Sequence, residues 1–120
     1  MQPLKPHQTV LWQQGLYCFN QGAYFEAHEI FEELWRSLPP PQKTSLQGLI
    51  QVAVACVHLH RQNERGARSL FKKAAQNLST GPLPSGNQAA LLKQIEAWLN
   101  WLEQSPDKRS EAPNWPSLAP

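Results

Sequence analysis

Apolar residues recur at spacings of three and four along almost the whole chain. No segment alternates apolar with polar residues at the period of two that a half-buried strand needs, so the pattern predicts an all-α fold. Leu11, Trp12, Leu16, Tyr17 and Phe19 mark a first helix over about residues 7–21, broken by Gly22. Tyr24, Ala27, Phe31, Leu34 and Leu38 mark a second over about residues 23–38. Pro39, Pro40 and Pro41 end it, because proline brings no N–H and disfavours helical geometry in the residue before it. The third, about residues 44–61, is apolar nearly all round through Leu49, Ile50, Val52, Val54 and Val57, which suits the middle of a bundle. Asn63 separates it from a fourth helix carrying Ala67, Leu70, Phe71, Ala74, Ala75 and Leu78. The expected stop is Gly81 as a left-handed cap followed by Pro82. Ser85 and Gln88 have the spacing of a capping box, opening a fifth helix with Leu91, Leu92, Ile95, Trp98, Leu99 and Leu102.

Length and composition bound what these helices build. With 120 residues, 41% hydrophobic and 17% charged, the chain makes one domain and needs no disulfide or metal to hold it. The helices occupy residues 1–105. Pro106, Pro113, Pro116 and Pro120 then make residues 106–120 an extended, Pro-rich tail, mobile unless Trp115 pins it to the body. The start, MQPLKPHQ, has no apolar core of a secretory signal. The stretch Thr44–His60 is free of Lys, Arg, Asp and Glu, but Gln47, Gln51, His58 and His60 leave it short of the ~20 apolar residues of a bilayer span. Cys18 and Cys56 sit within apolar helical patterns as small hydrophobes, so a cytoplasmic location and no membrane association are expected.

The chain also repeats itself. Ala27, Phe31 and Leu38 recur as Ala67, Phe71 and Leu78, an offset of 40. The segment Gly22-x-Tyr24-x-x-Ala27-x-x-x-Phe31, closed by Pro39, looks weakly like a tetratricopeptide repeat. Two units fall below the ~3 that a solenoid needs, so the expected architecture is a five-helix bundle of stacked antiparallel hairpins.

One segment departs from packing needs. On the second helix His28 shares a face with Tyr24, Phe31 and Trp35, and Glu32 follows it by one turn. On the third, Gln47, Gln51, Val54 and His58 repeat that spacing and put a polar stripe on an apolar helix. Burying such groups without partners costs ~1–3 kcal/mol each, so the stripe is expected to face His28 and the glutamates. The result is a core hydrogen-bond network, a ligand pocket or a metal site. His28-Glu29 begins like a zinc-protease motif, but position 32 is Glu where a second His is required. His28, Glu32 and His58 would still make three ligands, the number a catalytic zinc keeps. The Glu-x-x-His pairs of di-iron bundles are absent. No metal or other cofactor is expected. Clustering of Glu29, Glu32 and Glu33 would raise a carboxyl pKa for acid–base work, although Glu26, Glu29 and Glu33 equally have the spacing of a solvated face.

The fourth helix carries the opposite sign. Arg61, Arg65, Arg68 and Lys72 form a basic stripe with Lys73 beside it. Without interleaved aromatics, and with a net charge of only +2, it reads as a surface face or a partner of the acidic second helix, and nucleic acid is not the expected ligand.

Tyr24-Phe-Glu-Ala-His-Glu-Ile-Phe-Glu-Glu-Leu-Trp-Arg36, Leu46-Gln-Gly-Leu-Ile-Gln-Val-Ala-Val-Ala55 and Asn63-x-x-Gly66-Ala67 occur in order. Together, over about residues 10–79, they resemble the uncharacterised prokaryotic family called domain of unknown function 309. The resemblance implies a small all-helical bundle with no established activity, substrate or cofactor. It puts His28, Glu29, Trp35, Gln47, Gln51 and His58 on the family's characteristic positions. Two functions are open. One is a helical interaction or scaffold module, as a homo-oligomer or with a protein or peptide partner, for which five tryptophans are suited. The other is a small-ligand binder or hydrolase-like enzyme using His28, Glu32, Gln51 and His58.

Overall fold

A computed structural model describes residues 3–120. These residues form five α-helices and no strand: α1 Pro6–Asn20, α2 Tyr24–Arg36, α3 Pro40–His60, α4 Glu64–Leu78 and α5 Gln88–Glu103, followed by a 3-10 turn at Pro106–Lys108. Consecutive helices pack on one another, most extensively α3 on α4, in a body of 48 × 24 × 23 Å. Phe19, Ala27, Phe31, Leu34, Leu49, Val52, Ala67, Phe71 and Leu91 are wholly buried, so the apolar faces of all five helices meet in one core. Glycine sets the close approaches. A Cβ on Gly15 would run into the Phe31 ring, and one on Gly48 would stand 2.7 Å from Leu78 Cγ. The helix preceding each repeated Phe segment therefore has a glycine where its neighbour comes closest.

The repeat at an offset of 40 extends to the turns. Gly22 (φ 81°) and Gln62 (φ 59°) both take the left-handed conformation after a helix. In the first turn Ala23 N–H donates to Cys18 O at 2.9 Å, and in the second Asn63 N–H donates to His58 O at 2.8 Å. Glycine adopts this geometry without cost, whereas Gln62 is held in it by the helices on either side.

Three local expectations change. α3 begins at Pro40 rather than near residue 44, because Pro40 and Pro41 fill its first turn, where a missing N–H costs nothing. The three prolines therefore stop one helix and start the next. Gly81 is not a left-handed cap. α4 ends at Leu78, with Ser79 in right-handed geometry, and the Ser79 and Thr80 hydroxyls donate to Ala75 O and Asn77 O. Nor do Ser85 and Gln88 make a capping box: Asn87 caps α5, its Oδ1 accepting from Ala90 N–H at 3.0 Å. Ser85 Oγ instead accepts from Trp12 Nε1 at 2.9 Å, and Gln88 accepts from Leu83 N–H and donates to Leu78 O and Gly81 O.

The tail is extended and seated, with Pro116 and Leu118 buried. Side chains of the body hold its backbone. Tyr24 Oη donates to Pro116 O at 2.7 Å, and Asn20 brackets Leu118, donating to its carbonyl and accepting from its N–H. Gln94 accepts from Ser117 N–H, while the Trp98 and Trp101 indoles donate to Asn114 O and Ser110 O. Trp115 stacks on His60, with ring centroids 4.4 Å apart. Arg109 makes a two-point ion pair with Glu64 at 2.7 and 2.8 Å, which holds the Glu64 carboxyl below the usual carboxylate range. Trp115 lies against His60 and Tyr24, and no sequence period encodes the hydrogen bonds that accompany these contacts.

Candidate functional site

The polar residues singled out on α2 and α3 do not converge on one centre. His28 is partly exposed; its Nδ1–H donates to Phe25 O at 2.6 Å, which aims Nε2 towards Glu32, 3.8 Å from the nearer carboxylate oxygen. Glu29 is exposed. Gln51, expected to face α2, turns to α4 and accepts from Asn77 Nδ2 at 2.8 Å. His58 Nδ1 meets Asn63 Nδ2 at 3.1 Å across the α3–α4 turn. Among the described residues no three His, Cys, Asp or Glu side chains are grouped to hold a metal ion. The orientation of α3 explains this: its polar stripe lies in the furrow between α2 and α4, and its members take different neighbours along 21 residues.

Three of the candidates do meet. Glu32, Trp35 and Gln47 line a recess of about 210 Å³ with Arg36 and Ile50. Trp35 and Gln47 also line an adjoining recess of about 230 Å³ with Lys43, Thr44 and Asn77. The two adjoin at Trp35 and Gln47, which line both, and together they are the groove beside Trp35. Sequence periodicity places Trp35 on α2 but carries no sign of Lys43 or Asn77, whose roles depend on how α3 and α4 dock.

Trp35 is held from the neighbouring helix. Its Nε1–H donates to Lys43 O at 3.1 Å, and the Lys43 ammonium stands 4.3 Å above the ring centroid. Both contacts come from the first turn of α3, which the Pro39–Pro41 run sets against the end of α2. Around the ring stand one carboxylate (Glu32), two cations (Arg36, Lys43) and two side-chain amides (Gln47, Asn77). This set offers hydrogen-bond donors and acceptors about an apolar platform.

The other titratable and basic groups lie elsewhere. Cys56 is buried beside Tyr24, and burial pushes both the thiol and the phenol well above their ordinary pKa, so neither ionises near neutrality. Arg61, Arg65 and Lys72 are exposed; Arg68 is half-buried, its Nε without a hydrogen-bond partner. The ion pair of α4 runs not to the acidic second helix but to the tail, from Glu64 to Arg109. A further recess, about 370 Å³, lies where the tail crosses the α1–α2 turn, beside Asn20, Tyr24, His60 and Trp115.

Every residue lining the groove except Asn77 falls within residues 12–70, the segment for which a family is matched. Over 56 residues the chain is 46% identical to the uncharacterized protein YpuF of Bacillus subtilis (strain 168), covering 46% of this chain and 32% of that protein. Over 93 residues it is 28% identical to an uncharacterized protein of Aquifex aeolicus (strain VF5), covering 77% of this chain and 27% of that one. The chain thus spans about a third or less of the length of the curated relatives it matches. Residues 12–70, from α1 into α4 and including all seven polar candidates, match the family described as Domain of unknown function (DUF309).

Proposed function

We propose that the chain is a non-catalytic helical interaction module that binds a segment of a partner protein in the groove beside Trp35. The observation that carries this reading is the immobilised, partly exposed indole, tied to Lys43 O and covered by the Lys43 ammonium, between polar groups of α2, α3 and α4. A rigid aromatic within a hydrogen-bonding rim is the usual centre of a protein contact, because little conformational entropy is lost when it is covered. Arg36 and Lys43 outnumber Glu32 in the rim, so the favoured segment carries an apolar anchor next to a carboxylate. Both cysteines are free thiols, which supports a reducing compartment, the cytoplasm, as the place of action. None of the helices is long and apolar enough to cross a membrane among the described residues.

The test is selection of random displayed peptides on the immobilised full chain, followed by titration of the enriched peptides. Binding by acidic peptides with one apolar anchor, abolished in Gln47→Glu at unchanged melting temperature, is expected. Failure to enrich any peptide, or equal binding to the variant, would overturn the reading.

A further inference from the structure

The two repeated hairpins present the same two positions to the tail. Asn20 and His60 are the last residues of α1 and α3, and Tyr24 and Glu64 are the first residues of α2 and α4. Each pair is separated by the offset of 40 that relates the hairpins. In the first hairpin Asn20 brackets Leu118 and Tyr24 bonds the carbonyl of Pro116. In the second His60 stacks on Trp115 and Glu64 pairs with Arg109. The turns of the repeat thus form an edge that reads an extended chain, one hairpin after the other. Helix α5 reads the same segment in the reverse direction: Gln94, Trp98 and Trp101, on successive turns of one face, bond Ser117, Asn114 and Ser110.

Most of these bonds go to the main chain of the tail, as does the one from Asn87 N–H to Ala119 O at 2.7 Å. Every extended segment carries such groups, so they supply affinity without selecting a sequence. Selection falls on a few side chains. Leu118 is buried against Gly86, where a Cβ would run into it; Pro116 is buried, and Trp115 lies on His60. Main-chain bonds combined with side-chain pockets are how proteins recognise extended peptides. Residues 103–108, which join α5 to the tail, are all exposed, so the tail can leave without unpacking a helix. The recess of about 370 Å³ opens beside Trp115, Pro116 and Ser117 and gives an incoming segment a place to start.

We propose that this edge is a binding site for extended peptides of the pattern Trp-Pro-x-Leu. The tail is its tethered ligand, and a partner protein's segment of that pattern takes the same seat. The proposal does not rest on the groove beside Trp35. A short tether gives the tail an effective concentration on the order of millimolar, so a free peptide competes best where the tail itself is weakened.

The probe is a synthetic peptide of residues 109–120, titrated into the isotope-labelled full chain as parent and as Leu118→Ala. The peptide is expected to bind the variant at least roughly tenfold more tightly than the parent. It should also shift the Trp98 and Trp101 indole signals with Trp35 unmoved, and raise the melting temperature of the variant. The same peptide carrying Leu118→Ala should bind neither chain. A Trp115→Ala chain, which loses a ring that is 44% exposed, gives the same comparison where Leu118→Ala fails to fold. No binding to a folded variant overturns the proposal. So does equal binding to parent and variant, which would put the peptide where the tail does not compete, or a shift of Trp35 alone.

Discussion

Two regions of this molecule are lined by tryptophan, and only one is filled. Between α5 and the α1–α2 turn, Trp98, Trp101 and Tyr24 give their polar hydrogens to backbone carbonyls of the tail, and Asn20 and Gln94 complete the pairing. Between α2 and α3, Trp35 gives its N–H to the neighbouring helix, and the groove beside it stays open. The filled region shows how this fold holds an extended segment: side-chain donors and acceptors take the backbone, while Trp115, Pro116 and Leu118 supply the apolar contacts. The open region has amide donors and acceptors in Gln47 and Asn77 and an aromatic platform in Trp35, but no segment of the described chain fills it. Their difference is one of use. Trp98 and Trp101 hold the tail on the body, and Trp35 is the residue we propose to meet a partner.

The largest expected effect lies outside both regions and sets the scale. Val52 is wholly buried in α3, so Val52→Asp puts an unpaired charge into the core at a cost on the order of 4 kcal/mol or more. That is comparable to the whole stability of a marginal domain, and loss of helical circular dichroism is expected. Val54, two residues on, lies on the partly exposed side of α3, and the same substitution there should be tolerated better.

The tail comes next. Leu118 is 1% exposed, and Leu118→Ala should cost about 3 kcal/mol, lowering the melting temperature by roughly 10 °C. Truncation after Ser105 should do more, because it also removes Pro116 and leaves the Tyr24 hydroxyl without its carbonyl. A truncated chain that melts like the parent would erase the distinction between the two regions.

How much of this was legible follows from where each signal resides. Helix faces are written in spacing, so the buried Ala27, Phe31, Ala67 and Phe71 and the repeat they mark are readable directly. The polar stripe of α3 is readable too, but its direction is not. Gln51 bonds Asn77 because of how α4 docks, and nothing local to either residue signals it. The tail misleads in a different way. Its prolines argue for extension, whereas what holds it is a set of side chains scattered over α1, α2, α4 and α5. The readable hints were Trp115 and Leu118, apolar residues in a segment otherwise rich in proline and polar residues.

Smaller effects sharpen the account of α2. His28→Ala removes the bond to Phe25 O and the edge contact with the Phe25 ring, and about 1 kcal/mol of destabilisation is expected in thermal melts. Glu32→Gln should change the melting temperature by less than about 2 °C, since a pair 3.8 Å apart with an exposed carboxylate contributes little. A large loss in Glu32→Gln would make the groove a structural network and remove it as a binding surface.

The most direct measurement is a titration of the isotope-labelled full chain with a groove-binding peptide, following the five indole N–H resonances by nuclear magnetic resonance. The Trp35 signal should shift together with the side-chain amides of Gln47 and Asn77, while those of Trp98 and Trp101 stay where the tail holds them. Movement of the Trp98 and Trp101 signals with Trp35 unchanged would mean that the peptide displaces the tail, and would contradict the assignment of the two regions.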